Sequence, residues 1–388
     1  MLAPLRSTVV DVDLDAIVDN YRALRARAAN AEVIAVVKAD AYGHGIEAVA
    51  ETLASAGVAM LAVVTVEEAL SIRASGVRAP VLVLVGATET SEIEAAVAAD
   101  CAVVVWDVAQ AKLVGDVARA IGRRANVHVK VDTGLTRLGA PLAEAAARYR
   151  AIRGVAGLNV EGLFTHLATA DEPDVTSDRE QLARFAEVLR AIGDAPRYVH
   201  AAASAGVAAF GAIPGCTAIR PGLSLYGLHA AAHLEPALAL RPALSWRSRV
   251  RRVADAKKGT GVSYGLEYRL PRDGRIATVP VGYGDGLPRA VGKRGRLIVG
   301  GRALPFAGRI CMDLVMLDVT DVAVSEGDEV VVIGRQGDAA QTAEALAAAA
   351  GTINYEIVTG IRRRVPRRYQ RAGEVVAQRT LLDGYVRL

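Results

Sequence analysis

Lys38 stands at the end of the apolar run Val33–Val37, in the string Lys38-Ala39-Asp40-Ala41-Tyr42-Gly43-His44-Gly45. A lysine at the carboxyl end of a buried strand is desolvated, which lowers its pKa and makes the amine a nucleophile for a carbonyl group. The alternative is a lysine that snorkels past the strand end and keeps its charge in water. His166 follows the run Leu158–Phe164, and taken alone it reads as a satisfied core histidine. Cys101, Cys216 and Cys311 lie far apart, without CxxC spacing or a histidine cluster nearby. They are expected to be buried thiols, and no metal site is expected.

Both residues fall inside a regular alternation. Val33–Val37, Met60–Val64, Val81–Val85, Ala102–Val105, Val127–Val131, Leu158–Phe164, Tyr198–Ala202 and Thr217–Ile219 read as continuous apolar strands. Ala-rich amphipathic stretches such as Ile46–Ala56, Ser91–Ala98, Val108–Ile121 and Asp178–Ile192 read as helices between them. Eight such units predict an α/β fold, a (β/α)8 TIM-type barrel over residues 1–239, with active-site groups at the carboxyl ends of its strands. An open doubly wound sheet is the alternative. From residue 240 to 388 the texture changes to alternating strands with turn signals, at Ser245–Val253, Arg275–Val281, Leu297–Val299, Asp313–Val319 and Glu329–Ile333. This predicts a mostly β C-terminal domain, with helices at Thr342–Ala350 and Tyr355–Ile361 and a final strand pair near Val365–Arg371 and Tyr385–Leu388. Ser7–Asp13 alternates too, a pattern that would let residues 1–13 pair into the second domain.

The 388 residues exceed the size of one hydrophobic core, in keeping with two domains. A composition 52% hydrophobic and 23% charged excludes disordered and fibrous classes. No apolar stretch is long enough to cross a bilayer, and Met1–Val10 lacks the pattern of a secretory signal, so a cytoplasmic protein without membrane contact is expected. The net charge of +4 is mild, and the run Arg362, Arg363, Arg364, Arg367, Arg368 has few interleaved aromatics, so nucleic acid is not expected as a partner. An anionic cofactor or substrate suits that balance.

The string at Lys38 resembles the pyridoxal 5′-phosphate attachment stretch of alanine racemases, and similar strings follow in family order over essentially the whole chain. They include Lys130-Val131-Asp132-Thr133-Gly134-Leu135-Thr136-Arg137, Thr165-His166, Arg220-Pro221-Gly222-Leu223, Val262-Ser263-Tyr264-Gly265, Gly282-Tyr283-Gly284-Asp285 and Cys311-Met312-Asp313. The resemblance implies a cytoplasmic homodimer that interconverts L- and D-alanine and supplies D-alanine for peptidoglycan. Lys38 would form a Schiff base with the cofactor, and Lys38 and Tyr264 would serve as opposing bases. Arg137 would face the substrate carboxylate and the cofactor phenolate oxygen, and Lys130 corresponds to a lysine often carbamylated in the family. His166 would bond the catalytic tyrosine. Arg220 would bond the pyridine nitrogen, where a cation disfavours ring protonation and suppresses stray transamination. Tyr42, Ser204, Gly222, Leu223 and Tyr355 would hold the phosphate; Tyr283 and Met312 would shape the substrate site. The family's shared sites place the tyrosine and methionine strings of one subunit at the barrel of the other.

Two departures stand out. Ala203 occupies the place of a family Asn before Ser204, and Leu314 that of a Gln after Asp313. A bare tyrosine is a poor base: ionising it at pH 7 costs about 4 kcal/mol, so positive groups must support it, as a His166–Arg220 relay would. A basic amino-acid decarboxylase shares the two-domain arrangement and the cofactor, but it needs no second base and the second-domain strings speak against it. A single-barrel pyridoxal-phosphate carrier has no second domain.

Overall fold

In a computed structural model the chain is described over residues 4–388; the first three residues of the segment read for a secretory signal and of the expected barrel domain lie outside the described residues. Strand β1 (Val9–Asp13) precedes eight further strands: β2 (Glu32–Val36), β3 (Met60–Val63), β4 (Val81–Val83), β5 (Cys101–Val105), β6 (Ala125–Asp132), β7 (Leu158–Phe164), β8 (Tyr198–His200) and β9 (Ala218–Ile219). β2 to β9 pair in parallel with their chain neighbours, and β9 pairs with β2, which closes the ring and excludes the open sheet. Val, Ile, Leu and Ala make up most of these strands, and most of their residues are buried, as a parallel sheet wrapped by helices requires.

The chain divides into two compact units. One, residues 16–41 and 46–241, holds the barrel and its helices. The helix Leu14–Arg27 runs before β2, and Ile46–Ser55, Val66–Ala74, Thr90–Ala98, Val108–Ala120, Ala145–Arg153 and Thr176–Ile192 fill the crossovers.

Among the described residues, the other unit comprises residues 4–15, 42–45 and 242–388. Here β1 pairs antiparallel with Leu244–Arg249 and parallel with Arg367–Arg371. The segment read as one strand, Ser245–Val253, is two: Leu244–Arg249 in the large sheet and Arg252–Ala256 in a three-stranded one. The ladder changes partner between them, Val250 N–H donating to Asp328 and Arg251 N–H to Thr278. The expected final strand pair is a three-stranded meander, because Glu374–Thr380 pairs on both sides between Arg367–Arg371 and Gly384–Arg387.

Candidate active site

Lys38 stands two residues after β2, at the carboxyl end of the barrel, and is half-buried. Burial, then the charges of Arg137 and Arg220, holds its amine below the ordinary lysine value, while Glu68 acts in the opposite sense. The residues after it make an unusual turn. Ala39, Asp40, Ala41 and Tyr42 all have φ between +52° and +57°, a left-handed helical turn without glycine at those positions. Such a conformation costs about 1–2 kcal/mol for each L-residue, so neighbouring contacts must hold it. Asp40 accepts from Ile46 N–H at 3.0 Å, and Glu68 accepts from Ala39 N–H at 2.6 Å. Beyond the turn, fully buried Arg367 donates twice to the Gly43 carbonyl, at 3.2 and 3.0 Å. At Gly43 an added Cβ would stand 2.0 Å from the Val358 carbonyl oxygen, so only glycine fits.

Arg220 follows β9 and is buried. It donates to His166 Nδ1 at 2.8 Å, to the Thr165 carbonyl at 3.2 Å and to His200 Nδ1. Arginine has no acceptor, so both ring nitrogens must be unprotonated and both histidines carry their proton on Nε2. His200 Nε2 then donates to His128 Nδ1 at 3.0 Å, which leaves the His128 proton on Nε2, facing Glu161 Oε1 at 3.5 Å. Burial, then the positive charges of Arg220, Arg137, Lys130 and Lys38, pushes His166 down to about 2, so it is a neutral ring with one outward donor. Lys130, at the end of β6, is buried over the Phe164 ring and is lowered to about 8, by burial first and then by Arg137 and Arg220.

Arg137 is exposed on the loop after β6, where Asp132 Oδ1 gathers the amides of Gly134, Leu135 and Thr136 at 2.9–3.1 Å. Ser204, buried at the start of the helix Ser204–Phe210, accepts from the amides of Gly222 and Ser224 at 3.0 and 3.1 Å. Lys38, Lys130, Arg137, His166, Ser204, Arg220, Gly222 and Leu223 thus all belong to the barrel unit, on or just after its strands.

Tyr42, Tyr264, Tyr283, Met312 and Tyr355 belong to the second unit. The rings of Tyr42 and Tyr355 lie 6.2 Å apart. Tyr283 N–H donates to the Cys311 carbonyl and Gly284 N–H to that of Met312, which ties those two strings together. A Cβ on Gly282 would meet the same two carbonyl oxygens at 2.4 Å. Ser263 Oγ donates to the Arg309 carbonyl at 2.6 Å, which anchors the turn carrying Tyr264. Tyr264 itself is 70% exposed, Met312 52% and Leu266 50%.

The profile described as "Alanine racemase, N-terminal domain" matches residues 12–230, and "Alanine racemase, C-terminal domain" matches residues 243–369. The alanine racemase of Symbiobacterium thermophilum is 42% identical over 94% of this chain and 97% of its own length. "Alanine racemase 2" of Caldanaerobacter subterraneus is 39% identical over 97% of this chain and 98% of its own. The chain belongs to the alanine racemase family. Among solved structures, the Bacillus anthracis alanine racemase with bound L-Ala-P superposes with a TM-score of 0.90 at 36% identity, over 98% of this chain and all of that one. The enzyme of the D-cycloserine producer Streptomyces lavendulae superposes with a TM-score of 0.89 at 37% identity, over 95% and 98%.

Within the racemase frame, the two departures have local consequences. Ala203 is the N-cap of the helix Ser204–Phe210 and offers it no side-chain acceptor. Leu314 is 39% exposed, and its carbonyl accepts from Cys311 N–H. Sequence reading passed over His128, His200, Glu161 and Glu68, and took Arg367 only as part of a basic run, whereas it is fully buried. A signal for the histidines existed: polar rings inside the apolar runs Val127–Val131 and Tyr198–Ala202 must find partners in the core. Gly162 makes the room, since its Cβ would fall 2.2 Å from the His128 ring.

Proposed function

We propose that this chain racemises alanine with pyridoxal 5′-phosphate, Lys38 and Tyr264 acting as opposing bases, and that it supplies D-alanine for peptidoglycan in the cytoplasm. The observation that carries this reading is the half-buried Lys38 amine at the barrel's carboxyl end, beside the Arg220–His166 pair, in a chain of this family.

The residues suit the cofactor. Among the described residues Lys38, Lys130 and Arg137 have no ion-pair partner, and with Arg220 they act together on His166, so the site favours an anion. Phosphate, phenolate oxygen and a substrate carboxylate are such anions. Lys38 would hold the cofactor, with Tyr42, Ser204, Tyr355 and the amides of Gly222 and Leu223 at its phosphate, Arg220 at its ring nitrogen and Arg137 at its phenolate oxygen. When bound, the group withdraws electrons from the substrate Cα and makes its proton acidic.

The chain's own groups do the rest. Lys38 Nζ, whose pKa burial lowers, accepts or returns the proton on one face of Cα. Tyr264 serves the other face from a second copy of the chain, since its exposure, with that of Met312 and Leu266, leaves an apolar surface that a homodimer would cover. His166, neutral and protonated at Nε2, offers the tyrosine oxygen a donor rather than a competing base. Arg137 and Met312 orient the substrate carboxylate, and Tyr283 narrows the approach.

D-alanine formation from L-alanine by protein loaded with pyridoxal phosphate tests this. Wild type should racemise, and Lys38→Ala and Tyr264→Phe should each lose at least about 10²-fold. Expression in cells lacking any other racemase should remove their need for external D-alanine. A wild type that holds the cofactor and makes no D-alanine would overturn the assignment.

A further inference from the structure

Besides the contact of Asp40 with Ile46 N–H, the left-handed turn behind Lys38 is held by a carboxylate from another element, that of Glu68. Glu68 sits at the third position of the helix Val66–Ala74, whose N-cap is Thr65. Its Oε2 accepts from Val64 N–H at 2.9 Å and Thr65 N–H at 3.2 Å, which is the local capping duty of such a glutamate. Its Oε1 does something capping does not require: it reaches 29 residues back along the chain to Ala39 N–H, at 2.6 Å. Ala39 is the first residue of the turn and is joined directly to Lys38.

We infer that Glu68 is a positioning residue for Lys38: by binding Ala39 N–H it fastens the left-handed turn to the end of β3 and fixes the direction in which the lysine leaves β2. The inference rests on the reading of Lys38 as the cofactor-bearing base. Three features support it. The turn is intrinsically unfavourable and has no glycine in its first four positions, so it needs an external anchor. A charged acceptor gives a stronger bond than a neutral one. Glu68 also bears electrostatically on Lys38 in the direction opposite to Arg137 and Arg220.

The two oxygens allow the roles to be separated. Glu68→Ala removes both bonds, Glu68→Gln keeps one acceptor oxygen where two are needed, and Thr65→Ala damages the cap while leaving the Ala39 bond intact. Hydrogen exchange of the full-length, cofactor-free protein should show residues 39–45 exchanging about ten- to a hundredfold faster in Glu68→Ala. Cys101–Val105 should stay protected, and Thr65→Ala should match wild type over 39–45. In loaded enzyme Glu68→Ala should lower kcat about tenfold or more with KM for alanine within about twofold, the signature of a misplaced group rather than weakened binding. If Glu68→Ala loses protection throughout the barrel, Glu68→Gln is judged by the same criteria. Wild-type exchange over 39–45 in the Glu68 variants, or equal acceleration in Thr65→Ala, would overturn the inference. Borohydride reduction of loaded wild type separates the underlying reading: cofactor absent from the Lys38 peptide would sink that reading, while the exchange comparison still decides the clamp.

Discussion

Lys130 is a buried amine over Phe164 with Arg137 and Arg220 pressing on it, an arrangement that penalises a cation. We propose that it becomes a carbamate, as the family resemblance implies. The neutral Nζ attacks carbon dioxide, an N–C bond forms, and the surplus proton passes to solvent, leaving an anion that can orient Arg137. Because the amine titrates near 8, its neutral form, and with it the carbamate, increases as pH rises through that value and is depleted below it. Protein equilibrated with 13C-bicarbonate should show a carbamate carbon signal that grows from pH 7 to 9 and is missing from Lys130→Ala; a signal that survives that substitution would contradict the assignment. Such residues were legible because each sits in a dense string. His128, His200 and Glu161 were not, because their meaning lies in a chain of hydrogen bonds between strands that only the barrel's closure brings together.

The barrel strands were legible as elements because a parallel strand buried on both faces must be a continuous apolar run, as Val81–Val83 and Cys101–Val105 are. The second unit was harder. Nothing in Ser245–Val253 marks the change of partner at Val250 and Arg251, since it depends on distant carbonyls of Asp328 and Thr278. The hairpin before Glu374–Thr380 turns through Ala372 and Gly373, at φ +48° and +82°; the glycine is a turn signal, but the alanine before it, also left-handed, is not. The left-handed turn at 39–42 escaped for the same reason. The missing cap at Ala203 belongs to this scale. Ala203→Asn should supply an acceptor to the first turn of Ser204–Phe210 and raise stability by about 0.5–2 kcal/mol, read as a higher urea midpoint with unchanged slope. A lower midpoint would mean that the helix start has no room for the larger side chain.

Over the whole chain the proposed site residues fall in two groups, Lys38, Lys130, Arg137, His166, Ser204, Arg220, Gly222 and Leu223 in the barrel unit and Tyr42, Tyr264, Tyr283, Met312 and Tyr355 in the other. Among the described residues no helix is long and apolar enough to cross a membrane. If Lys38 of one chain works with Tyr264 of another, two inactive variants should repair each other. Lys38→Ala and Tyr264→Phe proteins, mixed in equal amounts, dissociated and reassembled, give hybrid dimers in which one site has both native bases and the other has neither. Half of the dimers are then hybrids with half of their sites intact, so the mixture should recover about a quarter of wild-type D-alanine formation. A mixture no more active than its two components, although hybrid dimers have formed, would contradict a site shared between chains with Lys38 and Tyr264 as its opposing bases.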